Sequence, residues 1–238
     1  MRARFLLIPA FAMVFCLGCQ QDKKDDINGI RPVNSDAANE LNANRSQFDS
    51  VQDPPLNADT RYAAGQLAES QNNPQLAIKQ YAECVKANPN HTLALYRMGV
   101  CYSELKQFPE AVATWNKYIK IYANTPNAAA SGYSNLGFCY ELAGQREDAE
   151  NSYKKGIQKD PYNQACRVNY GLMLARTGKT SEAMNQLQVV LSPAEVRYNL
   201  GSVYEQLGRK EQAKAEYKKA LELDPNLIDA QTKLTSLQ

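Results

Sequence analysis

Residues 194–227 read "AEVRYNLGSVYEQLGRKEQAKAEYKKALELDPNL", and three of their positions decide the fold. Gly201 is followed twelve residues later by Ala213, and four beyond that by Tyr217. The same triplet recurs as Gly65, Ala77 and Tyr81; Gly99, Ala111 and Trp115; Gly137, Ala149 and Tyr153; and Gly171, Ala183 and Leu187. Five copies in register define a repeat of about 34 residues, the length of one supersecondary unit that stacks on copies of itself. The units run 58–91, 92–129, 130–163, 164–193 and 194–227. Glycine is then the eighth place of each unit, alanine the twentieth and the large side chain the twenty-fourth.

Such spacing predicts a helical hairpin. The small residues stand where two helix axes approach closely, and the large residue at the twenty-fourth place is expected to fill the space between neighbouring hairpins. Gly144, Gly178 and Gly208 fall in the predicted turns, where a positive φ costs glycine little. Pro89, Pro161 and Pro225 mark the junctions between units. The second unit has 38 residues and the fourth only 30, so each departs from the common length by about one helical turn. We place the change in the second helix of each unit, with the fourth stopping early at Pro193 in "VVLSPAE", and expect a change of curvature near 123–129 and 191–194. Residues 228–238 continue the apolar spacing of Leu227, Ala230, Leu234 and Leu237, as a terminal capping helix does.

The pattern resembles the tetratricopeptide repeat (TPR) family, from residue 58 to residue 227. The resemblance implies an all-α superhelical solenoid of five hairpins plus the C-terminal cap. It also implies a concave groove lined by the second, fifth, sixth, ninth, twelfth and thirteenth places. Carried onto this chain, the peptide-binding residues are Tyr62, Gln66 and Glu69; Tyr96, Arg97 and Val100; Asn135, Phe138 and Glu141; Val168, Asn169 and Leu172; and Tyr198, Asn199 and Glu205. Asparagines there can pair a peptide backbone, and Tyr, Phe and Leu offer pockets. Asn135, Asn169 and Asn199 also fit the scaffold itself, since Asn is common at the sixth place in this family. The clamp by which some TPR proteins hold a C-terminal carboxylate needs Lys at fifth and second places, where this chain has none, so that mode is disfavoured.

At the other end, "VFCLGCQ" (14–20) carries a Cys-x-x-Cys spacing open to a redox, metal or processing reading. No βαβ context supports the first, and no downstream ligand pair supports the second, His91 being the only histidine. The stretch instead ends a run with Arg2 and Arg4 ahead of an apolar segment from Phe5 to Phe15, the pattern of a secretory signal over residues 1–18. "CLGC" resembles a bacterial lipobox, with Cys16 standing where Leu is usual. That resemblance implies lipidation of Cys19 and, with Gln20 following, a lipid anchor in the outer membrane facing the periplasm. Ordinary secretion and a retained anchor helix are the alternatives. Residues 19–57 hold few large apolar residues and no sustained period, and read as a polar tether. A segment that folds on a partner is the other possibility.

Composition excludes more than it assigns. Of 27 basic and 25 acidic residues, Arg2 and Arg4 leave with the signal, so the mature charges balance at 25 each. No basic stripe speaks for nucleic acid. "GKT" at 178–180 lacks the second glycine of a phosphate loop, because Met173 stands there, so no nucleotide is expected. His91, at a junction, reads as a solvated loop residue. Neither a Gly-x-Ser-x-Gly elbow nor a His-Glu-x-x-His motif occurs, so no enzyme, cofactor or metal is expected. Cys101 and Cys139 share the tenth place and read as small core residues. Disulfides among Cys84, Cys101, Cys139 and Cys166 remain open, Cys84 with Cys101 first. The function expected is a membrane-anchored scaffold for protein partners. The layout resembles the TPR lipoproteins of pilus and secretion assembly, such as the tight-adherence pilus lipoprotein and the type IV pilotin, and "RVNYGLMLARTGKTSEAMNQLQVVLSPAEVRYNLGSVYEQLGRKEQA" looks most like the former. The alternative is an adaptor docking cell-wall hydrolases or proteases.

Overall fold

A computed structural model describes residues 57–237. The signal expected at 1–18, Cys16, Cys19, the tether expected at 19–57 apart from Asn57, and Gln238 of the cap lie outside those described residues. The described chain is all helical: α1 (Ala58–Ser70), α2 (Pro74–Ala87), α3 (Thr92–Glu104), α4 (Phe108–Ile121), α5 (Pro126–Leu142), α6 (Arg146–Lys159), α7 (Gln164–Arg176), α8 (Thr180–Leu187), α9 (Pro193–Gln206), α10 (Lys210–Leu223) and α11 (Ile228–Ser236). Successive pairs form five antiparallel hairpins, each stacked on the next, and α11 packs on α10.

Local chemistry starts and ends these helices. Asn57, Asn73 and Asn163 accept from the backbone N–H three residues on, at 2.8, 3.1 and 3.0 Å. Ser192 and Glu195 form a reciprocal capping box ahead of Pro193, satisfying donors that have no partner inside the helix. His91 does the same for α3, its Nδ1 accepting from Ala94 N–H at 3.1 Å. The expectation of a solvated loop residue is corrected here. The His91 side chain is only 12% exposed, lying against the Tyr62 ring with centroids 4.9 Å apart.

All five hairpin turns close in one way, shown by the third. Gly144 N–H donates to the Glu141 carbonyl at 3.0 Å and Gln145 N–H to the Tyr140 carbonyl at 2.9 Å, the paired bonds of a Schellman ending. That ending needs a left-handed residue. Gly144, Gly178 and Gly208 supply it with φ of 77°, 83° and 72°, but Asn72 and Lys106 hold the same place at 55° and 58°. Lysine has no side chain suited to this conformation, whereas asparagine tolerates it. Lys106→Gly is therefore expected to stabilise the second hairpin by about 0.5–1 kcal/mol, the left-handed penalty less the backbone entropy of glycine. A rise in the urea midpoint at unchanged slope is the readout.

Inside each hairpin the large side chain at the twenty-fourth place lies directly on the glycine at the eighth. A β-carbon on Gly99 would stand 2.6 Å from the Trp115 ring, and one on Gly137 2.6 Å from that of Tyr153. Tyr81, Trp115, Tyr153, Leu187 and Tyr217 are at most 1% exposed, and the alanines at the twentieth place are fully buried. The large residues fill the space toward the next hairpin, as expected, with Trp115 against Leu136 and Cys139 and Leu187 against Val196 and Leu200, and they also lock the two helices of their own hairpin. They sit in successive apolar clusters along the stack, the last of which ends on Ala230, with Leu227, Leu234 and Leu237 of the cap packed against it.

The unequal repeat lengths also resolve. The second helix of the second hairpin, α4, has the common 14 residues. The extra turn belongs to α5, which begins at Pro126 and reaches 17 residues. Proline at a first helical position explains the early start, because it lacks an N–H that would be unpaired there anyway. In the fourth hairpin α8 is cut to 8 residues and stops at Leu187. The stop precedes Pro193, which instead opens α9.

Candidate partner-binding groove

The residues assigned to the groove sit on α1, α3, α5, α7 and α9. The fifth-place tyrosines lean on the large residue of their own hairpin: Tyr62 on Tyr81 and Tyr198 on Tyr217, each 5.7 Å between centroids, and Tyr96 edge-on to Trp115 at 5.4 Å. Each keeps part of its ring exposed. At that place Val168 is only 3% exposed and belongs to the core. It offers no side-chain surface to a partner, and the assignment is corrected.

The sixth-place asparagines are engaged internally. Asn135 donates to the Ser131 carbonyl at 3.0 Å, Asn169 to Ser134 Oγ at 3.0 Å and Asn199 to the Glu195 carbonyl at 2.8 Å. Asn199 is 7% exposed and drops out of the accessible set. These bonds favour the scaffold role of the sixth place over pairing with a peptide backbone.

The twelfth-place glutamates hold neighbouring units together. Glu69 takes Arg97 of the next hairpin, with Nε donating at 2.8 Å. Glu141 takes Arg176, with Nε at 2.9 Å. Glu205 takes Lys233 of the cap at 3.1 Å. Tyrosines of the locks add to two of these pairs: Tyr153 donates to Glu141 at 3.3 Å and Tyr217 to Glu205 at 2.6 Å. In the first pair Cys101 Sγ donates to Glu69 at 3.0 Å instead, and the buried Tyr81 hydroxyl has no partner. Burial and the adjacent carboxylates push the hydroxyls of Tyr153 and Tyr217 well above the usual tyrosine range, so they stay protonated donors.

For Glu205, burial alone would raise the pKa, but the hydrogen bonds from Tyr217 and Lys233 outweigh it and hold the carboxyl below its ordinary 4.5. A carboxylate depressed in the folded state contributes stability that is complete above the ordinary value and lost as pH falls through the folded one. Amide protection in 228–236 is therefore expected to decline below about pH 4.5. In Glu205→Gln that decline should be blunted, by hydrogen exchange.

The open surface at the groove places is mixed: Asp59, Glu104 and Glu195 are exposed at second and thirteenth places, beside uncharged residues. Gln66 and Phe138 are exposed, while Val100 and Leu172 are half-buried. Leu93, at 60% exposure, and Leu142, at 46%, join them. They occupy a second and a thirteenth place, so the signal that finds them was present in the repeat register.

No disulfide joins the four described cysteines: Cys84, Cys101, Cys139 and Cys166 are free and buried. The Cys84–Cys101 bridge left open above is absent. Burial pushes the Cys166 thiol up to about 12 and raises that of Cys101 further, which withholds the reactive thiolate. "GKT" sits in the turn of the fourth hairpin, where Thr180 opens α8. Among the described residues no cluster of three His, Cys, Asp or Glu side chains could hold a metal. No described helix is long and apolar enough to cross a membrane.

Tetratricopeptide-repeat family models match residues 68–131 and 194–227. The chain is similar to Hsp70-Hsp90 organizing protein 3 of Arabidopsis thaliana, 29% identical over 112 residues, which is 47% of this chain and 19% of that protein. It thus spans about a fifth of the length of this relative. Among solved structures it is similar to TTC0263, a TPR protein of Thermus thermophilus, with 23% identity, TM-score 0.53, and coverage of 76% of this chain and 98% of that one. It is similar also to PilF of Pseudomonas aeruginosa, with 14% identity, TM-score 0.54, and coverage of 85% and 92%. The fold is a TPR superhelical solenoid.

Proposed function

We propose that this TPR solenoid is a lipid-anchored scaffold in the periplasm that grips a protein partner in its groove and assists assembly of a pilus or secretion complex. The observation that carries the reading is the division of labour in the groove. Its twelfth-place glutamates are engaged with neighbouring units, while Leu93, Phe138 and Leu142 stay uncovered. Apolar side chains left in water on an ordered surface gain most from a partner that covers them. The lipobox-like "CLGC" supports the anchor, and the resemblance of residues 167–213 to pilus assembly lipoproteins supports the role.

The test uses full-length protein purified from membranes, with and without Leu93→Asp, Phe138→Asp and Leu142→Asp together. These residues are preferred to Tyr96 and Arg97, whose replacement would also disturb a lock and an ion pair. Loss of a captured secretin-system or pilus component, with helical content unchanged, is expected. Equal capture by the variant contradicts the groove, and recovery of cell-wall hydrolases in its place contradicts the assembly role. For the anchor, Cys19→Ser is expected to release the protein from membranes. Retention of that variant argues against lipidation.

A further inference from the structure

Polar contacts between successive hairpins are distributed unevenly. Between the first and second hairpins run the Glu69–Arg97 pair and the Cys101 bond to Glu69. Between the third and fourth run Glu141–Arg176, Asn169 to Ser134 at 3.0 Å, Tyr170 to Glu150 at 3.0 Å and Cys166 Sγ to the Ala130 carbonyl at 3.1 Å. Glu205–Lys233 ties the fifth hairpin to the cap. The other two interfaces have no ion pair among the described residues. Their twelfth places are Ser103 and Ala175 instead of glutamate.

At those interfaces apolar packing dominates. Trp115 and Ile119 meet Leu136 and Cys139 between the second and third hairpins, with a long Cys139 Sγ contact to the Phe108 carbonyl at 4.0 Å. Between the fourth and fifth, Leu187 shares a core with Val196, Leu200 and Val203, and the crossing polar contact is Thr180 with Tyr204 at 3.4 Å. A second, independent irregularity falls on the same two joints. The first is where α5 starts a turn early, and the second is where α8 stops at Leu187, leaving 188–192 without helix.

We infer that the solenoid works as three clamped blocks, hairpins one and two, three and four, and five with its cap, which move on one another at two apolar joints. An ion pair with directed hydrogen bonds fixes the orientation of two helices, whereas apolar contact is non-directional and permits small sliding of packed helices. The groove crosses both joints, so movement there sets its curvature and lets one surface adapt to partners of different girth. This device is a property of the free chain and stands whether or not the proposed partner is correct.

The experiment measures distance distributions in the full-length chain by electron–electron double resonance. Nitroxides are carried on a ketone-bearing amino acid at Lys79 and Asn151, which leaves the cysteines untouched. Both positions are exposed on second helices, and the span contains one clamped interface and one joint. Ser103→Glu with Asn135→Arg rebuilds at the joint the twelfth- and sixth-place pair that Glu69 and Arg97 make. The width of the distribution is expected to fall by roughly half, as the new directed pair restricts sliding at that joint. Removing a clamp with Glu69→Gln is expected to broaden it. An unchanged width in a folded Ser103→Glu, Asn135→Arg protein overturns the inference. Should that variant not fold, an unchanged width in Glu69→Gln overturns it equally.

Discussion

Gly137→Val is expected to destabilise the third hairpin by about 3 kcal/mol, the upper end of what overpacking costs. A β-carbon at residue 137 would stand 2.6 Å from Cε1 and 2.8 Å from Cδ1 of the Tyr153 ring. That ring is fully buried and has nowhere to go. Its hydroxyl donates to Glu141, which Arg176 of the next hairpin holds in turn. Retreat of the ring would therefore disturb the link to the fourth hairpin as well. Valine adds branched methyls in a helix whose other face is already packed. Because a repeat array can lose one unit without losing all, the loss should appear first as increased hydrogen exchange across 126–159. In a double-mutant cycle, Tyr153→Ala should recover much of the cost of Gly137→Val, since it removes the clashing ring. Additive costs would mean that the two residues do not oppose each other.

Trp115→Ala is expected to cost about 3–5 kcal/mol, the range for removing a large aromatic from a well-packed core. Trp115 is 1% exposed and meets Tyr96 and Tyr118 edge-on at 5.4 and 6.0 Å. It covers Gly99 and lies beside the joint to the third hairpin, so the cavity opens where no ion pair holds the neighbours. The indole N–H makes no hydrogen bond in the structure. Trp115→Phe should therefore cost much less, about 1–2 kcal/mol, because it removes volume without orphaning a partner. Urea unfolding of the three proteins distinguishes a packing role from a polar one. Equal losses for alanine and phenylalanine would point to the N–H.

The repeat register was legible in the sequence because its causes are local. Helices that cross closely need a small residue at a fixed place, and a hairpin turn needs a left-handed one, so Gly137 and Gly144 announce themselves. Which helix a large side chain faces is not encoded in spacing alone. Spacing sets Tyr153 between hairpins, where it does meet Tyr170, but gives no sign that it also closes its own on Gly137. Length arithmetic shows that four residues are extra near the second junction, but not on which side of it they lie. Pro126 carries that information, as a residue favoured at a helix start. The glutamate clamps were out of reach, since Glu69 and Arg97 lie 28 positions apart and only the stacking brings them together. Thus the set of groove places was readable, whereas the sorting of those places into paired charge, buried scaffold and open apolar surface depended on the packed structure.

On the proposed function, the open apolar residues of the first helices, and not the second helices, meet the protein partner. Site-specific photo-crosslinking of the full-length chain in intact cells tests it most directly, with a photoreactive amino acid placed in turn at Phe138 on α5 and at Ala113 on α4. A discrete, larger adduct is expected from residue 138 that disappears with Leu93→Asp and Leu142→Asp, and none from residue 113. An adduct from residue 113 with nothing from residue 138 would contradict the proposal.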